Sequence, residues 1–500
     1  VRDVATPVPA NSAPLTAWSA AAATGGKILS VRAPQRGGEV VARGITSDSR
    51  AVSPGCAFVA LRGERYDGHD YVDAAIQAGA ALVVVERGRI VRPVRSFSAS
   101  PPLDIVEVDD TLVAWGDLAR AHVRAWRRGR KDASVFAITG SAGKTTTKEL
   151  AAALLRAVGP CHATAGNLNN RVGVPAVAFG LEPHHRFAVF EVGMSSRGEI
   201  GALARVIEAD IAILTNISIA HAEGVGGTRA DVAREKGDLF AALPESGVAV
   251  ACFDDPAAMG QLGRTRARQA RSFGLGDGAD YRLEQRTAVG IGGARLDIKR
   301  LHEGTRASVW LGMPGEAAAI DLTGALAAVE AVVGSLGDDA ISAALEAPRA
   351  HPPGRMQVRQ FADGATVLDD TYNANPESVR AALRTLAEVA GGRRAVVILG
   401  EMRELGSSAP DEHAALGAAI AEAGARLAVS CGGLADLAIL AAEKIGVVAS
   451  RAVDAAGAAA VAASQVRAGD VVLVKASRAV GAERVVEALA RAHGGEVEQH

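Results

Sequence analysis

Short apolar runs alternate with longer amphipathic stretches along most of this chain. In the first region, about 15–108, the runs Ala57–Leu61, Ala81–Glu86 and Ile105–Val108 read as strands, and Tyr71–Ala78 reads as a helix. Leu112–Arg128 reads as a connecting helix, and the charged run Arg127–Asp132 as a boundary. From Ser134 the pattern becomes strand, loop, helix: Val135–Thr139 is a buried strand, Thr146–Val158 a helix, and Phe187–Phe190 and Asp210–Leu214 are further strands. Gly274–Trp310 alternates apolar and polar positions with frequent glycine, which predicts a small antiparallel insert. The three prolines in Pro348–Gly354 mark a linker, and after it Thr366–Leu368, Ala395–Leu399, Leu427–Ser430 and Val471–Val474 each precede a helical stretch. The prediction is three α/β domains: a small mixed N-terminal domain over 15–110, a central parallel sheet with helices on both faces over 111–347, and a C-terminal doubly wound, Rossmann-like domain over 348–500. Residues 1–14 are expected to be a disordered leader.

Composition narrows the function classes. The chain has 500 residues, 49% hydrophobic and 22% charged, with a net charge of -2. That gives no basic field for nucleic acid and no polybasic run for a membrane surface, and no apolar run is long enough to span a bilayer. Cys56, Cys161, Cys252 and Cys431 lie far apart with no metal or redox spacing, so reduced thiols and a cytoplasmic location are expected. A monomer is expected. Arginine outnumbers lysine 46 to 8, so a position that keeps lysine is worth attention. Asparagine has seven copies, mostly in short clusters at 167–170 and 373–375, which points to specific amide hydrogen bonding.

The sequence from Val135 to Thr147 joins a strand, a glycine loop and a helix start. Glycines let backbone N–H groups turn inward on phosphate oxygens, and the helix presents its positive end. The candidate phosphate contacts are Thr139, Gly140, Ser141, Ala142, Gly143, Lys144, Thr145 and Thr146; Lys144 can reach the terminal phosphates and Thr145 can ligate magnesium. Gly140 lies three residues before Gly143 rather than the usual five, yet the strand before and helix after are kept.

With this loop and the motifs that follow it, nearly the whole chain resembles the Mur ligase family of cell-wall amide ligases. Thr46-Ser47-Asp48-Ser49-Arg50 and the stretch Phe58–His69 resemble the family's first domain, which implies that Ser47, Ser49, Arg50, Asp67 and His69 hold a UDP-sugar. Gly166-Asn167-Leu168-Asn169-Asn170 is similar to an asparagine loop that touches the muramoyl-peptide substrate. Glu191 and His221, the latter following Asn216, match residues that bind magnesium, and Lys236 matches a lysine carbamylated by carbon dioxide that helps hold a second magnesium. In the last domain the resemblance places Arg355 on the ATP phosphates, Asp369 on the nucleotide side, and Lys475 near the amine substrate. The run Tyr372-Asn373-Ala374-Asn375-Pro376 resembles the members that add D-alanyl-D-alanine, with Asn373 and Asn375 facing the cleft.

The implied reaction is ATP-dependent. The terminal carboxylate of UDP-N-acetylmuramoyl-tripeptide would form an acyl phosphate, and the amine of D-alanyl-D-alanine would then displace phosphate, with Lys144, Lys236, His221 and Arg355 as the catalytic set. One departure stands out. Where the family's linker helix carries a His-Asn pair and a second asparagine that contact adenine, this chain has Ile320, Asp321 and Gly324; Asp321 can still accept a hydrogen bond from adenine, and Gly324 offers no side chain. Two other readings stay open: a related ligase for a different amino acid, and a degenerate member that binds the UDP-sugar peptide without turnover.

Overall fold

The structure is a computed structural model that describes residues 9–30, 41–63, 66–89, 103–219, 222–346 and 354–495. His221, most of the Pro348–Gly354 linker, and the first eight residues of the expected leader lie outside this description. The end of that leader is not loose. The Asn11 side chain pairs with the Ile45 backbone through both its amide atoms (2.9 and 3.0 Å), and Pro14–Leu15 pairs antiparallel with Ala42–Arg43. Asparagine mimics a strand edge here, which composition alone does not reveal.

The first sheet contains β1 (Lys27–Ser30), β2 (Ile45–Thr46), β3 (Ala57–Val59), β4 (Leu82–Glu86) and β5 (Asp104–Val108), in the order β1-β5-β4-β3-β2. Helix α1 (Thr111–Arg127) follows, capped by Asp110, whose carboxylate accepts from the N–H groups of Leu112 and Val113. It buries Trp115, Leu118 and Val123 against the central domain, with Trp115 packed edge-on to Phe179 at 4.8 Å.

The central sheet has nine strands: β6 (Ser134–Thr139), β7 (Cys161–Ala163), β8 (Phe187–Glu191), β9 (Ile211–Leu214), β10 (Val248–Cys252), β11 (Gln269–Gly274), β12 (Tyr281–Ala288), β13 (Ala294–Arg300) and β14 (Thr305–Leu311). Their order is β14-β13-β12-β11-β10-β9-β6-β8-β7. The segment expected to be a separate insert continues this sheet: Phe273–Gly274 pairs parallel with Tyr281–Arg282, and the two hairpins then run antiparallel. Helix α2 (Lys144–Arg156) starts two residues before the expected boundary, so Lys144 stands in its first turn. Helix α3 (Arg229–Ala241) is capped by Thr228. Helix α4 (Glu316–Val333) is alanine-rich and buried around most of its circumference, which lets it share one core with α2 and strands β6, β8 and β10.

The last sheet has β15 (Gln357–Gln360), β16 (Thr366–Asp370), β17 (Ala395–Leu399), β18 (Ala425–Ser430), β19 (Val448–Arg451) and β20 (Val471–Lys475) in the order β15-β16-β20-β17-β18-β19, parallel except at β15. Helices α5 (Pro376–Ala390) and α6 (Ala409–Glu422) pack on it. The carboxyl ends of β16, β17 and β20 face the carboxyl end of β6 across a cleft, the usual place for a ligand in an open α/β sheet. The cleft is bridged at its side by Arg286 of β12, which donates twice to Glu388 of α5 at 2.6 and 2.7 Å.

Candidate active site

The cleft encloses a cavity of about 880 Å³ whose walls come from the central and last sheets. On the central side, the turn after β6 requires glycine twice. A Cβ at Gly140 would lie 1.8 Å from Thr215 Oγ1; Gly143 has φ +79° and its Cβ would lie 2.3 Å from Asp321 Oδ1. Gly143 also leaves the N-terminus of α2 without a side-chain cap, so its amides are open to an anion. Lys144 folds back over the loop, its Nζ donating to the Gly140 carbonyl at 2.8 Å. Asn216 shapes the loop from behind, accepting from Ala142 N at 2.8 Å and donating to the Ala142 carbonyl at 3.2 Å. Ser141 accepts from Ser218 N at 2.8 Å, while Thr146 lines the cavity and Thr139 is buried at the end of β6.

Thr145 donates to Glu191 Oε2 at 2.6 Å, and Asn169 Nδ2 donates to Glu191 Oε1 at 2.8 Å. Burial would raise the Glu191 pKa, but the cations of Arg355, Lys144 and Lys148 and the Thr145 hydroxyl outweigh it and hold the carboxyl below its ordinary value. A hydroxyl and an ionised carboxylate at a phosphate loop are hard oxygen donors of the kind magnesium takes, leaving its other positions to phosphate and water. No cluster of three or more His, Cys, Asp or Glu side chains that could hold a metal occurs among the described residues. Lys236 of α3 is 1% exposed and donates to the Gly140 carbonyl at 3.0 Å. Burial, then the Lys144 charge, push its ammonium well below the ordinary lysine range.

The asparagine loop divides its work. Asn167 lines the cavity, Asn169 holds Glu191, and Asn170 accepts from Val172 N and Gly173 N at 3.1 and 2.8 Å, starting the next helix. Sequence reasoning missed Lys148, a rare lysine that is fully buried and donates to the Thr164 carbonyl at 2.7 Å. Thr164 in turn accepts from Glu191 N at 3.0 Å, so Lys148 braces the strand end that carries the carboxylate.

On the other wall, Arg355 stacks over the Tyr372 ring at 3.9 Å, in a turn where Gly354 and Met356 both have positive φ (66° and 54°). Its charge reaches both Lys144 and Glu191 across the cleft. Asn375 caps α5, accepting from Ser378 N at 2.9 Å, and donates to the Ser141 carbonyl at 3.4 Å. Asn373 lines the cavity. Lys475 is buried, pairs with Asp370, and donates to the Asn373 carbonyl at 3.0 Å, so its ammonium braces the wall. Asp369 is turned to Thr371 (2.6 Å) and Arg359 (3.1 Å), and it is Asp370 that lines the cavity.

Ser47, Ser49, Arg50, Asp67 and His69 lie in the first domain, away from this cavity. Arg50 pairs with Asp48 at 2.7 Å. His69 Nε2 accepts from Glu86 N at 2.9 Å, so its Nδ1 carries the hydrogen and donates to Asp67 Oδ1 at 2.6 Å.

Asp321 and Gly324 sit on α4. Asp321 is buried against Gly143 and lines the cavity, and burial pushes its carboxyl up to about 8, against the Thr147 hydroxyl and the Arg355 charge. Gly324 has no free space beside it: a Cβ there would lie 2.7 Å from the Phe273 ring. Phe273 is fully buried and packs directly on Gly324.

A phosphate loop, a carboxylate beside it, a buried lysine, and an arginine brought from a facing domain define an ATP-using ligase, and the chain belongs to the Mur ligase family. Three family models match it: "Mur ligase family, catalytic domain" over 41–122, "Mur ligase middle domain" over 138–329, and "Mur ligase, glutamate ligase domain" over 354–478. The chain is 35% identical to the UDP-N-acetylmuramoyl-tripeptide--D-alanyl-D-alanine ligase of Escherichia coli over 401 residues, covering 79% of this chain and 83% of that one. It is 34% identical to the ligase of the same name from Mycobacterium tuberculosis, covering 95% and 97% of the two chains. Among solved structures it is similar to MurF from Acinetobacter baumannii, with a TM-score of 0.82 and 28% identity over 96% of this chain and 100% of that one. It is also similar to MurF ligase from Thermotoga maritima in complex with ADP, with a TM-score of 0.75 and 27% identity over 90% and 97% of the two chains.

Proposed function

We propose that this chain joins D-alanyl-D-alanine to UDP-N-acetylmuramoyl-tripeptide at the expense of ATP, through an acyl phosphate. The observation that carries the reading is the convergence of Lys144, Glu191 and Arg355 in one cleft, with the Tyr372–Pro376 run on its facing wall. ATP phosphates would lie on the open amides of α2, with Lys144 and Arg355 offsetting charge on the transferring group. Magnesium, when bound, would neutralise further charge there, held by Thr145 and Glu191 with His221 as the remaining candidate. Lys236 is suited to carbamylation, because burial and Lys144 favour the neutral amine that carbon dioxide attacks. The tripeptide would approach along the asparagine loop and the dipeptide along the wall of Arg355 and Tyr372, while the first domain holds the UDP end. Closure of the cleft would keep water from the acyl phosphate.

The test is phosphate release with ATP and both substrates. The reading requires release that depends on UDP-N-acetylmuramoyl-tripeptide and on D-alanyl-D-alanine together; a folded sample that releases none, or that takes another amino acid instead, sinks it. For Lys236, alanine substitution should remove activity and short-chain carboxylic acids should restore part of it. An active K236A enzyme without added acid would rule the carbamate out.

A further inference from the structure

Among the described residues three lysines are almost wholly buried: Lys148 at 0%, Lys236 at 1% and Lys475 at 2%. Lys236 and Lys475 line the cleft, and Lys148 does not, so its charge needs another account. Taking an ammonium out of water is costly, and an apolar side chain of the same length would fill the space without that cost. Lys148 offsets it with two acceptors: it pairs with Glu149 and donates to the Thr164 carbonyl at 2.7 Å. Glu149 keeps part of its side chain in water, whereas the bond to Thr164 is buried.

That buried bond holds the edge of the central sheet. β7 has three residues, is half-buried along its length, and pairs only with Phe187–Val189 of β8. A short edge strand opens locally at little cost unless its end is tied. Thr164 is the residue after it. Its N–H donates to the Val189 carbonyl at 2.9 Å, and its hydroxyl accepts from Glu191 N at 3.0 Å. The asparagine loop starts just beyond, and brings Asn169 back to Glu191 Oε1 at 2.8 Å. The backbone and the carboxylate of Glu191 therefore both lean on the segment that Lys148 ties down.

Thr145 and Lys148 stand three residues apart on α2 and share a face of it. Thr145 holds Glu191 Oε2 directly at 2.6 Å, and Lys148 holds the segment behind the N–H and the other oxygen. The helix that opens the phosphate loop thus grips Glu191 at two points one turn apart. Magnesium tolerates little error in such a setting, since it demands near-octahedral geometry at about 2.0–2.1 Å.

We infer that Lys148 is a positioning residue for the cation that accompanies the nucleotide: by holding the Thr164 carbonyl it fixes Glu191 against Thr145 at the spacing the cation requires. This rests on the reading of Thr145 and Glu191 as magnesium ligands. Charge and position act with opposite signs here. The Lys148 charge reaches Glu191, so removing it should by itself tighten cation binding. Removing the tie should loosen it. A loss of cation affinity in a variant without the lysine therefore reports position.

The test uses the full chain and its affinity for a non-hydrolysable ATP analogue, measured by calorimetry in EDTA and again with Mn2+ in place of magnesium. In the wild type Mn2+ should tighten binding by about ten-fold or more, and K148M should lose most of that gain, the usual scale for a residue that orients a metal ligand. Affinity in EDTA should stay within about two-fold of wild type, because Lys148 lies off the cleft. The melting temperature of K148M should fall by no more than a few degrees, since Glu149 can turn to water. T164V, which keeps the carbonyl and removes the hydroxyl under Glu191 N, should lower the Mn2+ gain in the same direction. Added to E191Q, K148M should cost no more than about a further two-fold, because the carboxylate it positions is already lost. A merely structural lysine would cost E191Q as much as it costs wild type, and that result would overturn the inference, as would a K148M gain equal to or above that of wild type. If K148M does not fold, K148M/E149Q, which removes both charges of the pair, takes its place. A double variant that also fails to fold overturns the inference, because Lys148 is then a structural tie. A wild type that gains nothing from Mn2+ overturns the magnesium reading, and the inference with it.

Discussion

Around Gly140 and Gly143 polar side chains converge on shared partners: Lys144 and Lys236 on one carbonyl, Thr145 and Asn169 on one carboxylate, and Asn216 on the loop backbone. Along α4, where the family resemblance implied adenine contacts, the side chains are Ile320, a buried Asp321 and Gly324 with Phe273 packed on it. The first region is fixed by chemistry, because charge on a transferring phosphoryl group must be met at set positions. The second is fixed mainly by packing, and packing accepts exchanges of volume as long as the space is filled. Gly324, with the buried Phe273 ring packed on it, belongs to such a filled space.

The contrast predicts that damage at the phosphate loop separates activity from stability. K144A should lower the rate of phosphate release by about 10³-fold or more, since it removes a cation from the reacting group. Its melting temperature should stay close to wild type, because the Gly140 carbonyl keeps its bond from Lys236. A K144A enzyme that is as active as wild type, or one that does not fold, would break the contrast. E191Q should come next, losing about 100-fold in rate. It should also need more magnesium for half-maximal activity, measured by titration with the metal.

Damage along α4 should do the reverse. G324N should destabilise the chain by about 1–3 kcal/mol through overpacking against Phe273, read by thermal or denaturant unfolding. Phosphate release at saturating ATP should change little. The double variant F273L/G324N should lose less stability than the sum of the two single changes, because both act on one volume. Strict additivity would mean that Phe273 does not fill the space beside Gly324.

The same division decides what the sequence showed in advance. The phosphate loop was legible because its chemistry demands glycines and a lysine at set positions between a strand and a helix. The rarity of lysine marked Lys144 and Lys236, the family resemblance marked Lys475, and the rarity signal was also available for Lys148, whose bracing of Glu191 through Thr164 depends on a contact between distant segments. The asparagine clusters were visible as clusters, but only coordinates separate Asn169, which holds a carboxylate, from Asn170, which starts a helix. The alternation over Gly274–Trp310 gave the antiparallel strands correctly. It did not show that they extend the central sheet, since alternation reports which face is buried and not which neighbour a strand pairs with. Phe273 was illegible because its role rests on a contact across the fold.

The smallest effect belongs to Asp321, which lies where the two regions meet. Its carboxyl is raised to about 8 in the folded chain, against an ordinary value near ~3.9 when unfolded. Below about 4 the group is neutral in both states and contributes no pH dependence. As pH rises from there towards 8, the unfolded chain gains by ionising while the folded chain does not, so stability falls across that window and levels off above it. D321N should remove this component, giving a stability profile that is flatter between pH 4 and 8 and a gain on the order of 1 kcal/mol or more at pH 8. It should also remove a charge that would develop beside Gly143 at high pH, so the ATP KM of the variant should rise less between pH 7 and 9 than that of wild type. Unfolding curves and ATP titrations over that range measure both. If D321N leaves the pH dependence unchanged, the carboxyl is ionised in the folded chain, and Asp321 belongs with the charged groups of the phosphate loop instead of with the packed helix.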